Sequence, residues 1–320
     1  MTLNPPPISS PAYQRLGGWG IDGIVTELNA LREKWRTAHQ RSLEFAVREF
    51  PSREALKRIA EALGGALFPL RLGPPDLRQE GEDYYVGHTL DAALNALFQQ
   101  VRLELGYSLK HRGESGSLDE SAANLVRSFA AELPTIRALL DEDVEAAYRG
   151  DPAARTVDEV LLCYPGIIAV IHHRLAHVLY RLGVPLIARI IAEAAHSSTG
   201  IDIHPGAEIG SGFFIDHGTG VVIGETAVIG NRVRLYQAVT LGAKRFDQEE
   251  NGDLKKGIAR HPTVEDDVVI YAGATILGRI TIGKGSTIGG NVWLTRSVAP
   301  GSHISQANSQ QEMSIDGGGI

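Results

Sequence analysis

Three short polar clusters carry the residue types that move protons and bind charged groups. They are Asp202-Ile203-His204-Pro205, Asp216-His217 and Arg260-His261-Pro262. Asp202 and His217 are 15 residues apart, and we expect them on neighbouring coils of one edge of a repeat structure. A carboxylate beside an imidazole fixes the tautomer of the ring and stabilises the imidazolium that forms when it accepts a proton. The spacing therefore predicts a general base at His217, oriented by Asp202.

The third cluster ends a long excursion, residues 242–263, in which the regular spacing of apolar residues is lost. This excursion contains five basic residues: Lys244, Arg245, Lys255, Lys256 and Arg260. A loop of this length without structure of its own is more often functional than accidental. A merely solvated loop is the alternative interpretation of its lysines.

The histidines also have structural interpretations. His204 precedes Pro205 and is expected mainly to shape the entry into a coil. For His217 the alternative is a turn cap, but the adjacent Asp216 and the break in the repeat at this point favour chemistry. Three histidines on one helical stretch are expected to pack or to lie on the helix surface: His172, His173 and His177.

The elements that must position these clusters follow from a period of six. From residue 264 onward an aliphatic residue recurs at every sixth position, at Val264, Ile270, Ile276, Ile282, Ile288 and Leu294. The same period occupies Ile203, Ile209 and Ile215, shifts by two residues after the sequence Asp216-His217-Gly218-Thr219-Gly220, and resumes at Ile223, Ile229, Leu235 and Leu241. Neither a helix nor a simple hairpin has this period. It predicts short strands and tight turns that wind into a prism of about four coils, with the aliphatic side chains stacked inside.

Upstream of residue 200 the apolar residues recur at helical spacing. We predict helices over residues 23–48, 53–63, 89–105, 121–139, 142–148, 157–182 and 185–196. Ser52 and Asp119 are expected N-caps, Gly200 an expected helix stop, and residues 72–87 an expected loop. The predicted fold class is α+β, with an all-α N-terminal domain followed by a parallel β-helix. The predicted domains are a flexible segment 1–19, a helical domain 20–200, a prism 201–300 and a flexible tail 301–320.

Composition excludes several classes of protein. The net charge of −7 and the pI near 5.9 argue against a nucleic-acid-binding surface, where a basic stripe is expected. No run of 18 apolar residues occurs, and the proline-rich start lacks the pattern of a secretory signal. We therefore predict a cytoplasmic protein that contacts no membrane. The single cysteine, Cys163, is expected to be a buried structural thiol.

Two longer motifs surround the polar clusters. Residues 202–233 read DIHPGAEIGSGFFIDHGTGVVIGETAVIGNRV, and RHP at 260–262 is followed by VxxxVxIYAGATILG. Upstream lie RGDPA at 149–153 and the helical segment GIIAVIHHRLAHVLY. Over about residues 145–300 the chain resembles the serine O-acetyltransferases of cysteine biosynthesis, which are hexapeptide-repeat acyltransferases with a left-handed β-helix. The combination of DIHP, DHxTG, GETAV and RHP is much more specific than the repeat alone.

The resemblance implies transfer of an acetyl group from acetyl-CoA to the hydroxyl of L-serine, without a metal. In that reaction His217 is the base and Asp202 orients it. Asp151 and Asp216 are implied to bind the ammonium group of serine, and Arg260 to bind its carboxylate. His261 is implied to complete the serine site and to help stabilise the tetrahedral intermediate.

The resemblance also implies the donor site and the assembly. Acetyl-CoA is expected along one edge of the prism, around Gly242 and Ala272. The active site is implied to lie between neighbouring prisms, so that a homotrimer is the minimum assembly and helical halves pair trimers into a hexamer. L-Cysteine is an implied feedback inhibitor. The ending GGGI resembles the tails that dock with O-acetylserine sulfhydrylase through a terminal isoleucine, here Ile320, whereas an ordinary frayed terminus is the alternative.

Three other functions stay open on the residues alone. A prism of this repeat can hold zinc on three histidines, as in a carbonic anhydrase of the γ type, and His204, His217 and His261 are candidates. The acceptor of the acetyl group can be another hydroxyl or amine, such as a sugar. A non-catalytic scaffold that only presents its tail is the third alternative.

Overall fold

The computed structural model describes residues 19–39, 50–112, 117–245, 249 and 253–306. It divides into two compact units, residues 1–48 and 49–320. In the first unit, helix α1 (Ile21–Ala38) follows Gly20 and has no buried residue. Its C-terminal end lies before the predicted end at residue 48, and residues 40–49 lie outside the described residues. Residues 1–18 and 307–320 also lie outside them, so the structure does not test the flexibility predicted for both ends of the chain.

The helices of the second unit precede the prism, as predicted. They are α2 (Arg53–Leu67), α3 (Pro69–Leu72), a 3₁₀ turn (Gln79–Gly81), α4 (Glu82–Arg112), α5 (Leu118–Gly150), α6 (Val157–Cys163), α7 (Pro165–Arg181) and α8 (Pro185–Thr199). Ser52 is the N-cap of α2, since its side chain accepts a hydrogen bond from the N–H of Ala55 at 3.3 Å. Gly200 ends α8 with φ at 71°, a left-handed conformation that glycine adopts without a steric cost.

Five predicted local features are wrong. Helix α5 is continuous, although two helices were predicted there, and it begins after Ser117 rather than Asp119. The predicted helix 157–182 is broken before Pro165, because a proline lacks the N–H that continues the ladder. Most of the predicted loop 72–87 is a 3₁₀ turn and the start of α4. Cys163 is exposed, because it lies on the solvent side of the short helix α6.

Fourteen short strands form the described part of the prism. They are β1 (Asp202–Ile203), β2 (Glu208–Ile209), β3 (Phe214–Ile215), β4 (Val222–Ile223), β5 (Val228–Ile229), β6 (Arg234–Leu235), β7 (Thr240–Gly242), β8 (Thr263–Val264), β9 (Val269–Ile270), β10 (Thr275–Leu277), β11 (Thr281–Ile282), β12 (Thr287–Ile288), β13 (Trp293–Leu294) and β14 (His303–Ile304).

The strands pair in parallel in three sheets. Sheet A contains β1-β4-β7-β10-β13, sheet B contains β2-β5-β8-β11 and sheet C contains β3-β6-β9-β12-β14. The first four coils each contribute one strand to each sheet, and the sheets are the three faces of a left-handed parallel β-helix. The last coil adds β13 and β14, with Val298 as an isolated bridge to Ile282. The repeat aliphatic residues are buried except for Ile209 and Leu294, which are partly buried. The predicted α+β fold class is confirmed.

Turns join the faces at three corners, which we name by the sheets they connect. The C–A corner leads from sheet C to sheet A, and the A–B corner from sheet A to sheet B. The two-residue shift of the repeat is a longer C–A turn, residues 216–221, between β3 and β4. The excursion lies at the A–B corner between β7 and β8. The longest turns of the described prism are thus the ones that carry Asp216-His217 and Arg260-His261.

Residue 200 separates helices from strands but does not separate two domains. The helices and the prism of the second unit share one hydrophobic core. A buried ion pair between two helices lies at the junction with the prism: Nε of Arg174 in α7 lies 2.6 Å from Oδ2 of Asp143 in α5. Arg174 also donates to the carbonyls of Ile209 and Gly210, and Asp143 accepts from the N–H of Phe213. These bonds satisfy charges whose burial would otherwise destabilise the fold.

The far end of the prism also differs from the prediction. Strand β14 pairs with β12, with His303 opposite Thr287, so the coil extends beyond residue 300. The predicted tail 301–320 therefore begins inside the prism. No single described helix is both long and apolar enough to cross a membrane, although the pair α6 and α7, bent by 75°, meets that criterion when taken together.

Candidate active site

The C–A corner presents His217 to solvent on a constrained turn. His217 has φ at 59°, and its side chain is 70% exposed. The next residue, Gly218, has φ at 87°, and a β-carbon there would overlap the side chain of Ile201. Four other residues in turns of the prism have the same left-handed conformation, so it is a feature of these turns and not specific to His217: Arg232, Ala238, Asp267 and Asn291. The turn thus holds an imidazole outside the packed prism.

Two carboxylates accompany this imidazole. Asp216 is buried, and its Oδ1 lies 3.9 Å from Nε2 of His217. Its other oxygen, Oδ2, lies 2.7 Å from Nη2 of Arg234. Asp151 follows the end of α5 and accepts from the hydroxyl of Tyr164 at 2.5 Å and from the N–H of Ala153 at 2.8 Å. These side-chain bonds fix the two carboxylates, and none of them involves the ring of His217.

These bonds change the acidity of the groups that make them. The hydroxyl of Tyr164, and then the N–H of Ala153, lower the pKa of Asp151, and the nearby charges of Arg234 and His217 lower it further. The same bond raises the pKa of Tyr164 to about 12. At neutral pH the corner therefore presents Asp151 as an anion and Tyr164 as a neutral donor.

The A–B corner has the opposite character, because its polar groups are packed against one another. Nη2 of Arg260 lies 2.6 Å from Oε2 of Glu225, and the hydroxyl of Tyr180 donates to Oε1 of Glu225 at 2.9 Å. The backbone N–H of Arg260 donates to Oγ1 of Thr226 at 2.9 Å. The end of the excursion is therefore bound to the GETAV turn one coil before it.

His261 is buried at this corner in one orientation. Its Nδ1 accepts from the N–H of Thr226 at 3.0 Å, which assigns the proton of a neutral ring to Nε2. Burial, together with the charge of Arg260, lowers the pKa of His261 to about 4. The ring lies over Gly224, where a β-carbon would overlap it. A neutral imidazole with an Nε2–H donor is the species present at neutral pH.

Asp202, the predicted partner of His217, lies at the start of the prism next to helix α8. Asp202 lies in β1 opposite Val222, and its carboxylate is within 4.8 Å of ligand atoms of Glu193 and His196 in α8. Within the described chain no hydrogen bond or ion pair joins Asp202 to His217. The turn that carries His217 nevertheless lies beside the start of β1, because the N–H of Gly220 donates to the carbonyl of Gly200. The orienting role of Asp202 stays a prediction.

The predicted donor residues lie at two different corners. Gly242 ends β7 at the A–B corner, whereas Ala272 lies in the turn before β10 at the C–A corner. β7 and β10 are paired with Gly242 opposite Leu277, so the two residues lie at opposite ends of sheet A. Their carbonyls accept from the N–H groups of Gly278 and Asn291, respectively. Within one chain, Gly242 and Ala272 therefore do not lie along the single edge of the prism that was predicted for the acetyl-CoA site.

The three histidines of the zinc alternative are also divided between corners. His204 and His261 belong to the A–B corner, and His217 belongs to the C–A corner. Nδ1 of His204 accepts from the N–H of Gly206 at 3.0 Å, in agreement with its predicted role in shaping the turn. Among the described residues, the only group with metal-ligand spacing is Glu193, His196 and Asp202, an arrangement also common without an ion.

The structure brings the other predicted residues into two groups. Asp151, Asp216 and His217 share the C–A corner, and Arg260 and His261 share the A–B corner. Ile320 lies outside the described residues. Four contacting residues had no predicted role: Tyr164, Glu225, Thr226 and Arg234. Glu225 and Thr226 belong to the GETAV motif and could have been found from it, whereas no sequence signal marks Tyr164 or Arg234.

Comparison with known proteins assigns this arrangement to a family. A family model described as bacterial transferase hexapeptide, six repeats, matches residues 261–296. A serine acetyltransferase of Synechococcus elongatus, described as a plasmid protein, is 57% identical over 306 residues, which are 94% of this chain and 95% of that protein. The chain belongs to the serine acetyltransferases.

Solved serine acetyltransferases have the same fold. The structure of serine acetyltransferase 1 from Entamoeba histolytica in complex with L-cysteine matches with a TM-score of 0.68 and 39% identity, over 80% of this chain and 87% of that one. A serine acetyltransferase from Neisseria gonorrhoeae in complex with serine matches with a TM-score of 0.51 and 27% identity, over 78% and 94%. Sequence similarity to serine acetyltransferases thus extends over nearly the whole chain, and structural similarity extends over most of it.

Proposed function

We propose that this serine acetyltransferase transfers the acetyl group of acetyl-CoA to the hydroxyl of L-serine, giving O-acetyl-L-serine and CoA. The observation that carries the proposal is the exposed imidazole of His217 beside the buried carboxylate of Asp216 at the longest turn between described strands of sheets C and A. The serine bound in the Neisseria gonorrhoeae relative supports the choice of acceptor.

In the proposed reaction His217 acts as the base. A hydroxyl is a weak nucleophile until its proton is removed, so His217 takes that proton as the oxygen attacks the thioester carbon. The tetrahedral intermediate then expels the CoA thiolate, which receives the proton back from His217. The exposed ring can reach a substrate held outside the prism.

The remaining polar groups bind the acceptor. We assign the ammonium group of serine to Asp151 and Asp216, and its carboxylate to Arg260, whose guanidinium already binds the carboxylate of Glu225. His261 donates from Nε2 to the oxygen that becomes negative in the intermediate. Its neutral, fixed ring suits a donor better than a base.

These groups occupy two corners of each chain, so one chain does not present them together. We propose that the C–A corner of one prism meets the A–B corner of its neighbour in a homotrimer, and that acetyl-CoA lies between them. Gly242 and Ala272, at opposite ends of sheet A, then belong to two different donor sites of the same chain. L-Cysteine, bound in the Entamoeba histolytica relative, has the same ammonium and carboxylate as serine and would compete for the acceptor site.

The test of this function is CoA release from acetyl-CoA by the purified full-length chain. L-Serine is compared with homoserine, sugar alcohols and no acceptor, and zinc content is measured on the same preparation. We expect release that depends on L-serine. Release without preference for serine would favour another acceptor, and stoichiometric zinc without any release would favour the metal alternative.

A second proposal concerns the tail. A glycine-rich end with a terminal aliphatic carboxylate can enter a backbone pocket that binds both its charge and its side chain. We propose that Ile320 docks the chain to O-acetylserine sulfhydrylase. Deletion of Ile320 should abolish co-elution with the sulfhydrylase and leave acetyl transfer unchanged. Retained co-elution would contradict the proposal.

A further inference from the structure

Arg234 connects three elements around the C–A corner. It lies in β6, next to the repeat residue Leu235, and its side chain is 24% exposed. Nη2 donates to Oδ2 of Asp216 at 2.7 Å, and Nη1 donates to the carbonyl of Gly150 at 2.6 Å. Gly150 is the last residue of α5 and directly precedes Asp151. The guanidinium of Arg234 thus fixes the side chain of Asp216 and the backbone just before Asp151, the two residues predicted to bind the ammonium group of serine.

Aromatic rings fix the guanidinium itself. Its central carbon lies 4.9 Å from the ring centroid of Phe214 and 4.6 Å from that of Tyr236. Tyr236 in turn stacks on Tyr271, with centroids 4.9 Å apart and planes inclined by 14°. A cation over an aromatic face is attracted by the electrons of the ring, and a planar guanidinium stacks well. Arg234 therefore holds its direction whether or not a substrate is bound.

The contacts of Arg234 determine which atoms of Asp216 remain available. Nη2 of Arg234 donates a hydrogen bond to Oδ2 of Asp216, so Oδ1 is the oxygen of Asp216 that remains available at the corner. This Oδ1 lies 3.9 Å from Nε2 of His217. Arg234 also compensates one of two nearby negative charges. Asp151 and Asp216 together with Arg234 have a net charge of about −1, which matches a single ammonium group.

We propose that Arg234 is a positioning residue that sets the acceptor's ammonium site by orienting Asp216 and by tying the start of the Asp151 turn to the prism. The proposal rests on the proposed function, because it concerns the binding of an amino-acid acceptor at that same site. Arg234 acts through the two aspartates, so its effect should be on acceptor binding more than on the chemical step.

The test is steady-state kinetics of the full-length enzyme with Arg234→Met and Arg234→Gln. We expect KM for L-serine to rise about tenfold, the scale of one charge-assisted hydrogen bond. We expect KM for acetyl-CoA to stay within about twofold, and kcat within about threefold of the wild type, since the guanidinium bonds to Asp216 and to the carbonyl of Gly150 and has no hydrogen bond to His217 among the described residues. Arg234→Lys should recover part of the affinity because it retains the charge.

Arg232→Met is the matched control. Arg232 lies two residues earlier, is 58% exposed and pairs with Asp267 at the B–C corner, where sheet B leads to sheet C. Its replacement should leave both KM values unchanged. An unchanged KM for serine in Arg234→Gln, or an equal rise for serine and acetyl-CoA, would overturn the proposal. If the wild-type enzyme releases no CoA in the presence of serine, the proposed function itself fails. That failure is distinguishable from failure of the Arg234 proposal, because it is seen in the wild type before any variant is measured.

Discussion

The C–A and A–B corners hold their histidines in contrasting ways. His217 is exposed, stands on a left-handed backbone and has one charged side chain, Asp216, at 3.9 Å. His261 is buried, lies over Gly224, and is fixed through Nδ1 by the turn at Thr226. The two rings belong to the same prism, and each lies in a turn between two strands. Their difference comes from the turns that carry them.

The difference assigns different chemistry to the two rings. A base must change its charge during the reaction, and an exposed ring can do so without desolvating the imidazolium. A ring whose pKa is lowered to about 4 by burial stays neutral at physiological pH and keeps one fixed donor. The comparison predicts that the C–A corner moves the proton and that the A–B corner holds the substrate still.

The largest expected effect is the loss of the exposed ring. His217→Ala should lower kcat by at least about a hundredfold, the usual contribution of a positioned general base. The thermal unfolding temperature should change little, because the side chain is 70% exposed. The measurement is the rate of serine-dependent CoA release at saturating substrates.

An exposed histidine of the same prism provides the control. His303 lies in β14 and is exposed. His303→Ala should retain the wild-type rate. A rate for His217→Ala within tenfold of the wild type would show that the proton moves elsewhere, and it would remove the distinction between the corners.

The next effect in size comes from the packing of the buried ring. In Gly224→Ala the added β-carbon would overlap the ring of His261, so the ring must leave its bonds with Thr226. A misplacement of this order lowers kcat/KM by about tenfold to a hundredfold. Steady-state kinetics with L-serine measures this loss.

Gly87→Ala is the control for Gly224→Ala. It tests whether replacing a glycine by alanine lowers kcat/KM in itself. Gly87 lies in α4, and a β-carbon there meets no atom within 4 Å. Its replacement should leave kcat/KM unchanged. An unaffected Gly224→Ala enzyme would mean that the fixed orientation of His261 does not matter for the reaction.

The sequence predicts the prism well because each repeat residue has one destination. An aliphatic side chain at every sixth position can be buried only inside a coil of this length, and neighbouring coils require the same residue. The break in the period also correctly marks the long C–A turn, where the chain inserts two residues. Local spacing is thus sufficient for the faces, the corners and the positions of the polar turns.

Contacts between distant elements could not be read in this way. Arg234 reaches the end of α5, which lies 84 positions away in the sequence, and no local pattern marks that bond. The spacing predicts that Asp202 orients His217, but it gives no sign that the carboxylate of Asp202 lies within 4.8 Å of ligand atoms of Glu193 and His196 in α8. The placement of residues at corners was therefore predictable, whereas their bonding partners were not.

The smallest expected effect is on stability at low pH, and it examines the buried ring directly. The pKa of His261 is about 4 in the folded protein and about 6.5 when the chain is unfolded. Between these values the unfolded chain binds a proton that the folded chain does not, so stability falls as the pH is lowered. Asparagine can accept the same N–H bond without titrating. His261→Asn should therefore lose about 1–2 kcal/mol less of its unfolding free energy than the wild type between pH 7 and pH 5.

Urea unfolding at fixed protein concentration, at pH 7 and at pH 5, measures this difference. Burial also lowers the pKa of His173, so part of the acid sensitivity should remain in the variant. His303→Asn, at an exposed position, should lose as much stability as the wild type. An equal loss in His261→Asn and in the wild type would mean that His261 titrates as a solvated ring does. The two corners would then differ in geometry alone, and the choice of His217 as the base would rest on its exposure and not on a difference in acidity.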